Sequence, residues 1–318
     1  MLKRIYTKKI IVCMVAMFAI LLVYILPSEE NKLSYKEELE YVNSNIKTSA
    51  IFLLDSSNYL ACTEVVTKST NTIDKAKELI EALTIDGKKQ DNIPSGFKAI
   101  IPSNTKVRSI TYDNETIKID FTKELMNTSI EFEEKIIEAI TFTLTSLKDV
   151  KYVIIFMDGE ILSKLPQSKI ILPSTLDRSF GINKEYNISS TKDINKTTIY
   201  YISQFNDTKY YVPATKINND TRKKIEIIVD ELSSSNIYRT NLMSFLNGNT
   251  KLISTEELGD ELIVNFNSAI FNDINSKEIL EEVIYTICMS ISDNYNVSSI
   301  ILNVDDEEIY KSVLKTIE

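Results

Sequence analysis

The chain has 318 residues, room for two ordinary domains, with 43% apolar and 25% charged residues, a globular balance. It contains no histidine, which excludes Ser-His-Asp triads, Cys-His dyads and His-ligated metals. The net charge is −9. Residues 1–9 carry +4 of it, so the remainder carries −13, and so acidic a body is a poor match for the phosphate backbone of nucleic acid.

Lys3, Arg4, Lys8 and Lys9 precede seventeen uncharged, mostly aliphatic residues, Ile10 to Leu26. As a helix these would span roughly 26 Å, the short end of a membrane crossing. The positive-inside rule then puts residues 1–9 in the cytoplasm and the body outside it. Two other readings compete. A cleaved signal peptide wants a small-x-small site, which is missing near Pro27, and a lipoprotein signal wants a small residue where Val12 precedes Cys13. The expectation is a cytoplasmic tail at 1–9, a transmembrane anchor at 10–26 and a linker at 27–48.

The body then repeats itself. "IFLLDSSNYLACTEVV" (51–66) and "IYYISQFNDTKYYVPAT" (199–215) are each extended runs broken by a polar turn, which predicts a strand pair. A helix follows each: Thr72 can cap the first, with Ile73, Ala76, Ile80 and Leu83 on one face, and Asp220 the second, with Ile225, Val229 and Leu232 inward. "IPSGFKAIIPSNTKV" (93–107) is echoed by "NLMSFLNGNTKL" (241–252).

Period-two alternation in "TIKIDF" (116–121) and "ELIVNF" (261–266) predicts half-buried strands. The turns before them hold Asn114 and Gly259, which tolerate positive φ. A longer helix comes next. Its stripe is Phe132, Ile136, Ile140, Leu144 and Leu147 in the first copy, with Thr128 and Glu131 at capping-box spacing. In the second it is Ile279 or Leu280, Val283, Ile287 and Ile291. "VKYVIIFMDGE" (150–160) closes the first copy and "VSSIILNVDDE" (297–307) the second, a buried strand running into an acidic turn.

The prediction is an α+β protein with two tandem copies of a β-β-α-β-β-α-β unit, each a sheet with two helices on one face. The first copy covers 49–162 and the second 198–318. Residues 163–197 form an interdomain linker that can lay an extra strand on the first unit. Cys13 falls in the apolar segment. Cys62 and Cys288 lie in different halves and read as small buried hydrophobes.

The order "KAKELIEALT", "IPSGFKAIIPSNTKV", "TIKIDFTKEL", "EEKIIEAITFTLTSL", "VKYVIIFMDGE" resembles the GerM domain, a module of sporulation and spore germination proteins, with a more diverged copy in the second half. Pro102 then corresponds to Asn247, and Gly159 to Asp306. The resemblance implies a fold like the ring-building motifs of secretion systems. It also implies non-enzymatic, extracytoplasmic work in assembling or stabilising an envelope protein complex between mother cell and forespore.

Candidate chemistry is thin. Asp158, Glu160, Asp305, Asp306, Glu307 and Glu308 carry oxygens that suit Ca²⁺, yet they lack EF-hand spacing and read as solvated turns. Ser-x-x-Lys recurs at Ser44, Ser95, Ser103, Ser189 and Ser312 without a Lys-Thr-Gly companion, and no Gly-x-Gly occurs. Tyr200, Tyr201, Tyr210 and Tyr211 suit half-buried strands; the alternative is that they stack on peptidoglycan sugars, making the chain a glycan-binding module. No catalytic, cofactor-binding or metal residue is assigned. The expected partners are an envelope protein complex, the membrane through 10–26 and possible peptidoglycan, with no nucleic acid.

Overall fold

A computed structural model describes residues 48–88, 92–234 and 241–313, which fall within one compact unit. The expectations for 1–9, 10–26 and 27–47 lie outside the described residues. Among the described residues no helix is long and apolar enough to cross a membrane.

In the first copy β1 (Thr48–Leu54) and β2 (Leu60–Val66) form a hairpin, followed by α1 (Thr72–Leu83) and the hairpin β3 (Val107–Asp113) and β4 (Thr116–Phe121). Then come α2 (Ile130–Leu144), β5 (Tyr152–Met157) and a short β6 (Glu160–Ile161). After β7 (Glu185–Asn187) the order recurs. The second copy runs β8 (Asn195–Phe205), β9 (Thr208–Asn218), α3 (Lys224–Ser233), β10 (Leu252–Leu258), β11 (Glu261–Phe266), α4 (Glu281–Asn294), β12 (Ser299–Val304) and β13 (Glu307–Val313).

The latter part of each copy is a four-stranded sheet, β3-β4-β5-β6 or β10-β11-β12-β13. Its inner pair is parallel because a helix crosses over between them, α2 from β4 to β5 and α4 from β11 to β12. Both sheets carry a register slip at the same place, between Val107 and Ser109 and between Leu252 and Ser254.

An eighth element, β6 or β13, extends each unit beyond the seven expected. The acidic turn folds the chain back on itself, with Asp158 and Gly159, or Asp305 and Asp306, all at positive φ. The turn is pinned to the neighbouring strand alike in both copies. Gly159 N–H donates to Asp120 Oδ1 at 3.0 Å, and Asp306 N–H to Asn265 Oδ1 at 3.1 Å.

The expectation of one sheet per copy is corrected. The leading hairpins leave their own copies' sheets and join in a central five-stranded sheet, in which β2 meets β9 antiparallel at Cys62 and Tyr211. β9 is a central strand, and β8, which among the named strands pairs with β9 alone, is covered by α3 and α4, with Thr197 to Ser203 buried without a break. α2 packs on β1 and α4 on β8. One tie repeats: Phe52 N–H donates to Thr143 Oγ1 on α2 (3.0 Å), and Tyr200 N–H to Ser290 Oγ on α4 (2.9 Å).

Two apolar clusters result. One is built around Phe52, Phe121 and Phe142, the other around Val212, Phe266 and Ile287. Residues 163–197 are not a solvated linker. Leu165, Leu172, Leu176, Phe180 and Ile182 are buried in the first cluster, and β7 pairs with β9 of the second copy.

Three helix starts also differ. Asn71, not Thr72, caps α1 by accepting from Asp74 N–H at 2.8 Å. Ser129, not Thr128, occupies the cap position of α2, its hydroxyl donating to Glu131. Lys223 precedes α3, while Asp220 takes the Arg222 N–H and guanidinium.

Candidate functional site at the junction of the two copies

The uncommon buried polar groups gather where the copies meet. β2 and β9 splay apart past Cys62, and Pro213 of β9 has no N–H to offer across the gap. Asn183 fills it. Its Oδ1 accepts from Leu60 N–H (2.9 Å), and its Nδ2 donates to the carbonyls of Leu60 (2.8 Å) and Pro213 (2.7 Å). One side chain thus stands in for a rung of backbone bonding.

The approach to Asn183 is set by Gly181 and Asn183 itself, both at positive φ (87° and 46°). A side chain at Gly181 would press on Thr215, whose Oγ1 accepts from Ile182 N–H at 2.9 Å.

Arg178, between the copies in sequence, binds both. Its Nε donates to Thr145 Oγ1 (2.9 Å), and its Nη2 donates to Ser146 Oγ (2.7 Å) and to the Phe142 carbonyl (3.2 Å) at the C-terminal end of α2. A cation there complements the helix dipole. Nη1 reaches both oxygens of Asp293 on α4 at 3.1 Å, and Tyr200 Oη donates to the same carboxylate at 2.8 Å. The guanidinium lies 4.5 Å from the Phe142 ring centroid and 5.3 Å from that of Phe52. Burial, then the Asp293 charge, pushes the Tyr200 hydroxyl well above its ordinary range.

Glu138 of α2 supports Asn183 from beneath. Its Oε2 accepts from Asn183 N–H at 2.9 Å, and its Oε1 lies 3.5 Å from Lys184 Nζ, which also pairs with Glu134 at 2.7 Å. Burial pushes the Glu138 carboxyl up to about 7, against the opposing pull of Lys184 and the Asn183 amide.

The residues singled out from the sequence lie elsewhere. Asp158 and Asp305 head the two hairpin turns in separate sheets, and no group of three or more Cys, Asp or Glu among the described residues is placed to hold a metal. Asp158 pairs with Arg108, and Glu307 with Lys277.

Tyr200, Tyr201 and Tyr210 are not available for stacking. All three are buried, with hydroxyls donating to Asp293, Glu231 and Asp55. Tyr211 is half-buried, its ring 5.8 Å from that of Tyr285. Burial pushes the thiols of Cys62 and Cys288 up to about 12, which keeps them protonated and unreactive at neutral pH.

Sequence reasoning missed Arg178, Asn183, Glu138 and Asp293. The sequence carried no signal for them: even Glu138 falls opposite the Ile136 and Ile140 stripe, beside Glu131 and Glu134, where a solvent-facing carboxylate is expected. Every one of these groups is held by a fixed partner, an arrangement suited to clasping two bodies together.

Comparison with known proteins places the chain. The Germane family, described as sporulation and spore germination, matches residues 50–163 and 198–310. The spore germination protein GerM of Bacillus subtilis (strain 168) is 30% identical over 263 residues, covering 80% of this chain and 70% of that protein. The solved tandem GerMN domains of the sporulation protein GerM from Bacillus subtilis superpose with a TM-score of 0.76 at 24% identity, over 86% of this chain and 98% of that one, a likeness of fold. The chain belongs to the Germane family of sporulation and spore germination proteins, with one family module in each half.

Proposed function

We propose that the chain is a non-enzymatic scaffold outside the cytoplasmic membrane, anchored through residues 10–26, that assembles or stabilises an envelope protein complex between mother cell and forespore. Family membership and the apolar segment behind a basic cluster support the setting. The observation that carries the scaffolding role is the junction. Arg178 and Asn183 bind both copies at once, and each copy presents a four-stranded sheet that ends in an edge strand, β3 in one and β10 and β13 in the other. Among the described residues no further strand pairs with those edges, and open edges are where partner proteins add.

The test is genetic and chemical together. Deletion of the gene should impair sporulation or germination, and charged substitutions on the exposed edge residues Ile253 and Leu258 should reproduce the defect without lowering the amount of protein. Normal sporulation and germination in the deletion strain would reject the role.

A further inference from the structure

Residues 163–197, the segment present once, differ from the rest of the body in charge. They hold six Lys and Arg against three Asp and Glu, a net +3 within a body of −13. Arg178 is paired with Asp293, and Lys184 with Glu134 and Glu138. The other four cations, Lys164, Lys169, Lys192 and Lys196, are in no ion pair among the described residues. Lys169 Nζ donates to the Pro166 carbonyl and Lys196 Nζ to that of Ser179 at 3.3 Å, contacts that leave the charge unbalanced. Of the carboxylates of the segment, Glu185 is paired with Lys216, which leaves Asp177 and Asp193.

The same segment holds out apolar side chains. Ile171 is 81% exposed and Tyr186 62%, and with the exposed Ile188 and Ile194 they line one groove of about 530 Å³. Every residue lining that groove is among those described. Its floor, Phe180 and Ile217, is already buried, so the exposed apolar area lies on the rim. The local backbone explains why. Leu165 N–H donates to the Ile170 carbonyl and Leu172 N–H to that of Ser163, a hairpin that turns Leu165 and Leu172 into the core and sets Ile171 beside Lys164 on the outer face. Val66, the partner of Thr48, and Ile217 lie on opposite sides of the Cys62–Tyr211 pairing. The described chain therefore begins at the other end of the central sheet from the groove.

We propose that this face docks on a membrane surface of anionic lipid, with Ile171 and Tyr186 entering the headgroup layer and Lys164, Lys169, Lys192 and Lys196 meeting the phosphates. Exposed apolar side chains gathered in one patch mark a contact surface. Lysine is a compact charge on a flexible stem, suited to the diffuse charge of headgroups, and tyrosine has an apolar body with a polar tip. Protruding apolar groups ringed by lysines match a fluid interface, which closes around them without a shaped counter-surface. Burial, then the charge of Lys184, pulls the Lys196 ammonium below its ordinary range, and a phosphate beside it would oppose that pull. The contact is separate from the apolar segment at 10–26, and it goes beyond the scaffold reading.

The chain has no tryptophan, so Ile171→Trp puts a single reporter on the patch, and Ile274→Trp, at an exposed position outside the groove, serves as control. The full-length chain is held in phosphatidylcholine nanodiscs, which occupy the apolar segment, and protein-free vesicles are added. With vesicles of equal parts phosphatidylcholine and phosphatidylglycerol, the Ile171→Trp emission should move to the blue in a saturable way and be quenched by lipid brominated in the acyl chain. Ile274→Trp should not respond. The wild-type chain should float with the same vesicles, less so as salt is raised. Lys164→Glu, Lys169→Glu and Lys196→Glu together should weaken binding by about tenfold or more, with the circular dichroism spectrum unchanged. No shift, an equal shift with vesicles of phosphatidylcholine alone, or undiminished binding by the folded triple variant would overturn the proposal. So would a wild-type chain that fails to float, since the affinity would then belong to the introduced ring. Ile171→Trp emission already blue before vesicles are added would give the face to another part of the chain, a second copy or a partner protein, and equally overturn it.

Discussion

The two four-stranded sheets are close copies of each other, whereas the central sheet that joins them is lopsided. β4 and β11 share a parallel register with β5 and β12, slip at the same point and hold the same hairpin turn with an equivalent side chain, Asp120 or Asn265. At the junction the copies diverge. Gly96 faces Phe205 while Asn241 faces Ser57, and Arg178 and Asn183 come from a segment present once. The outer sheets have the same strand order and end alike in β3 and β10, and the same pattern serves twice. The junction must hold two bodies in one arrangement, and that takes residues with particular reach and charge.

The largest effect should come from the clasp. Arg178→Ala leaves Asp293, whose side chain is 8% exposed, without its cation. Breaking a pair of this kind costs about 3–5 kcal/mol. The loss should appear in denaturant unfolding, and Asp293→Asn in the Arg178→Ala background should recover part of it.

Next is the asymmetric pair. Gly96→Ala meets the Phe205 ring at positive φ and should destabilise by about 1–3 kcal/mol. Asn241→Ala, at the twin position, should stay within about 0.5 kcal/mol. Equal effects at the two sites would erase the contrast between Gly96 against Phe205 and Asn241 against Ser57.

A pH effect of intermediate size follows from Glu138. Its carboxyl stands at about 7 in the folded chain against an ordinary 4.5, so between those values the folded state holds a proton that the unfolded state lacks. Its contribution is complete below the ordinary value and is lost as pH rises through about 7, with a slope of up to about 1.4 kcal/mol per pH unit. Measured from pH 4.5 to 7, the stability of the wild-type chain relative to Glu138→Gln should fall with rising pH.

The smallest effect belongs to the repeated turn. Asp306→Gly copies Gly159 of the other half, easing positive φ while losing the 2.6 Å bond from Asn265 Nδ2. Stability, read from thermal unfolding, should change by less than about 0.5 kcal/mol.

What the sequence revealed and what it hid divide along the same line. Local patterns were readable: alternation placed Ile117, Ile119 and Phe121 inward, helical spacing placed Ile136, Ile140 and Leu144, and turn chemistry placed Asn114 and Gly259 at positive φ. The joining of β2 to β9 was not readable, because a hairpin carries no mark of which sheet it will enter. Residues 163–197 looked like a linker because they are polar on average. Leu165, Leu172 and Leu176 stand at helical intervals of seven and four, but Pro166 and Pro173 break any helix there, so only the folded path brings them to one core.

The central claim is that the two modules, joined by one sheet and by Arg178 and Asn183, behave as one folded body. Cys288 is shielded within the second half, and Cys62 lies against the first cluster at the seam with β9, so the two report on the second half and on the junction. Pulsed alkylation across a denaturant series, read by mass spectrometry of the peptides carrying each cysteine, should show both becoming reactive at one shared midpoint. Two well-separated midpoints would mean that the junction opens apart from the second half, and would contradict the account.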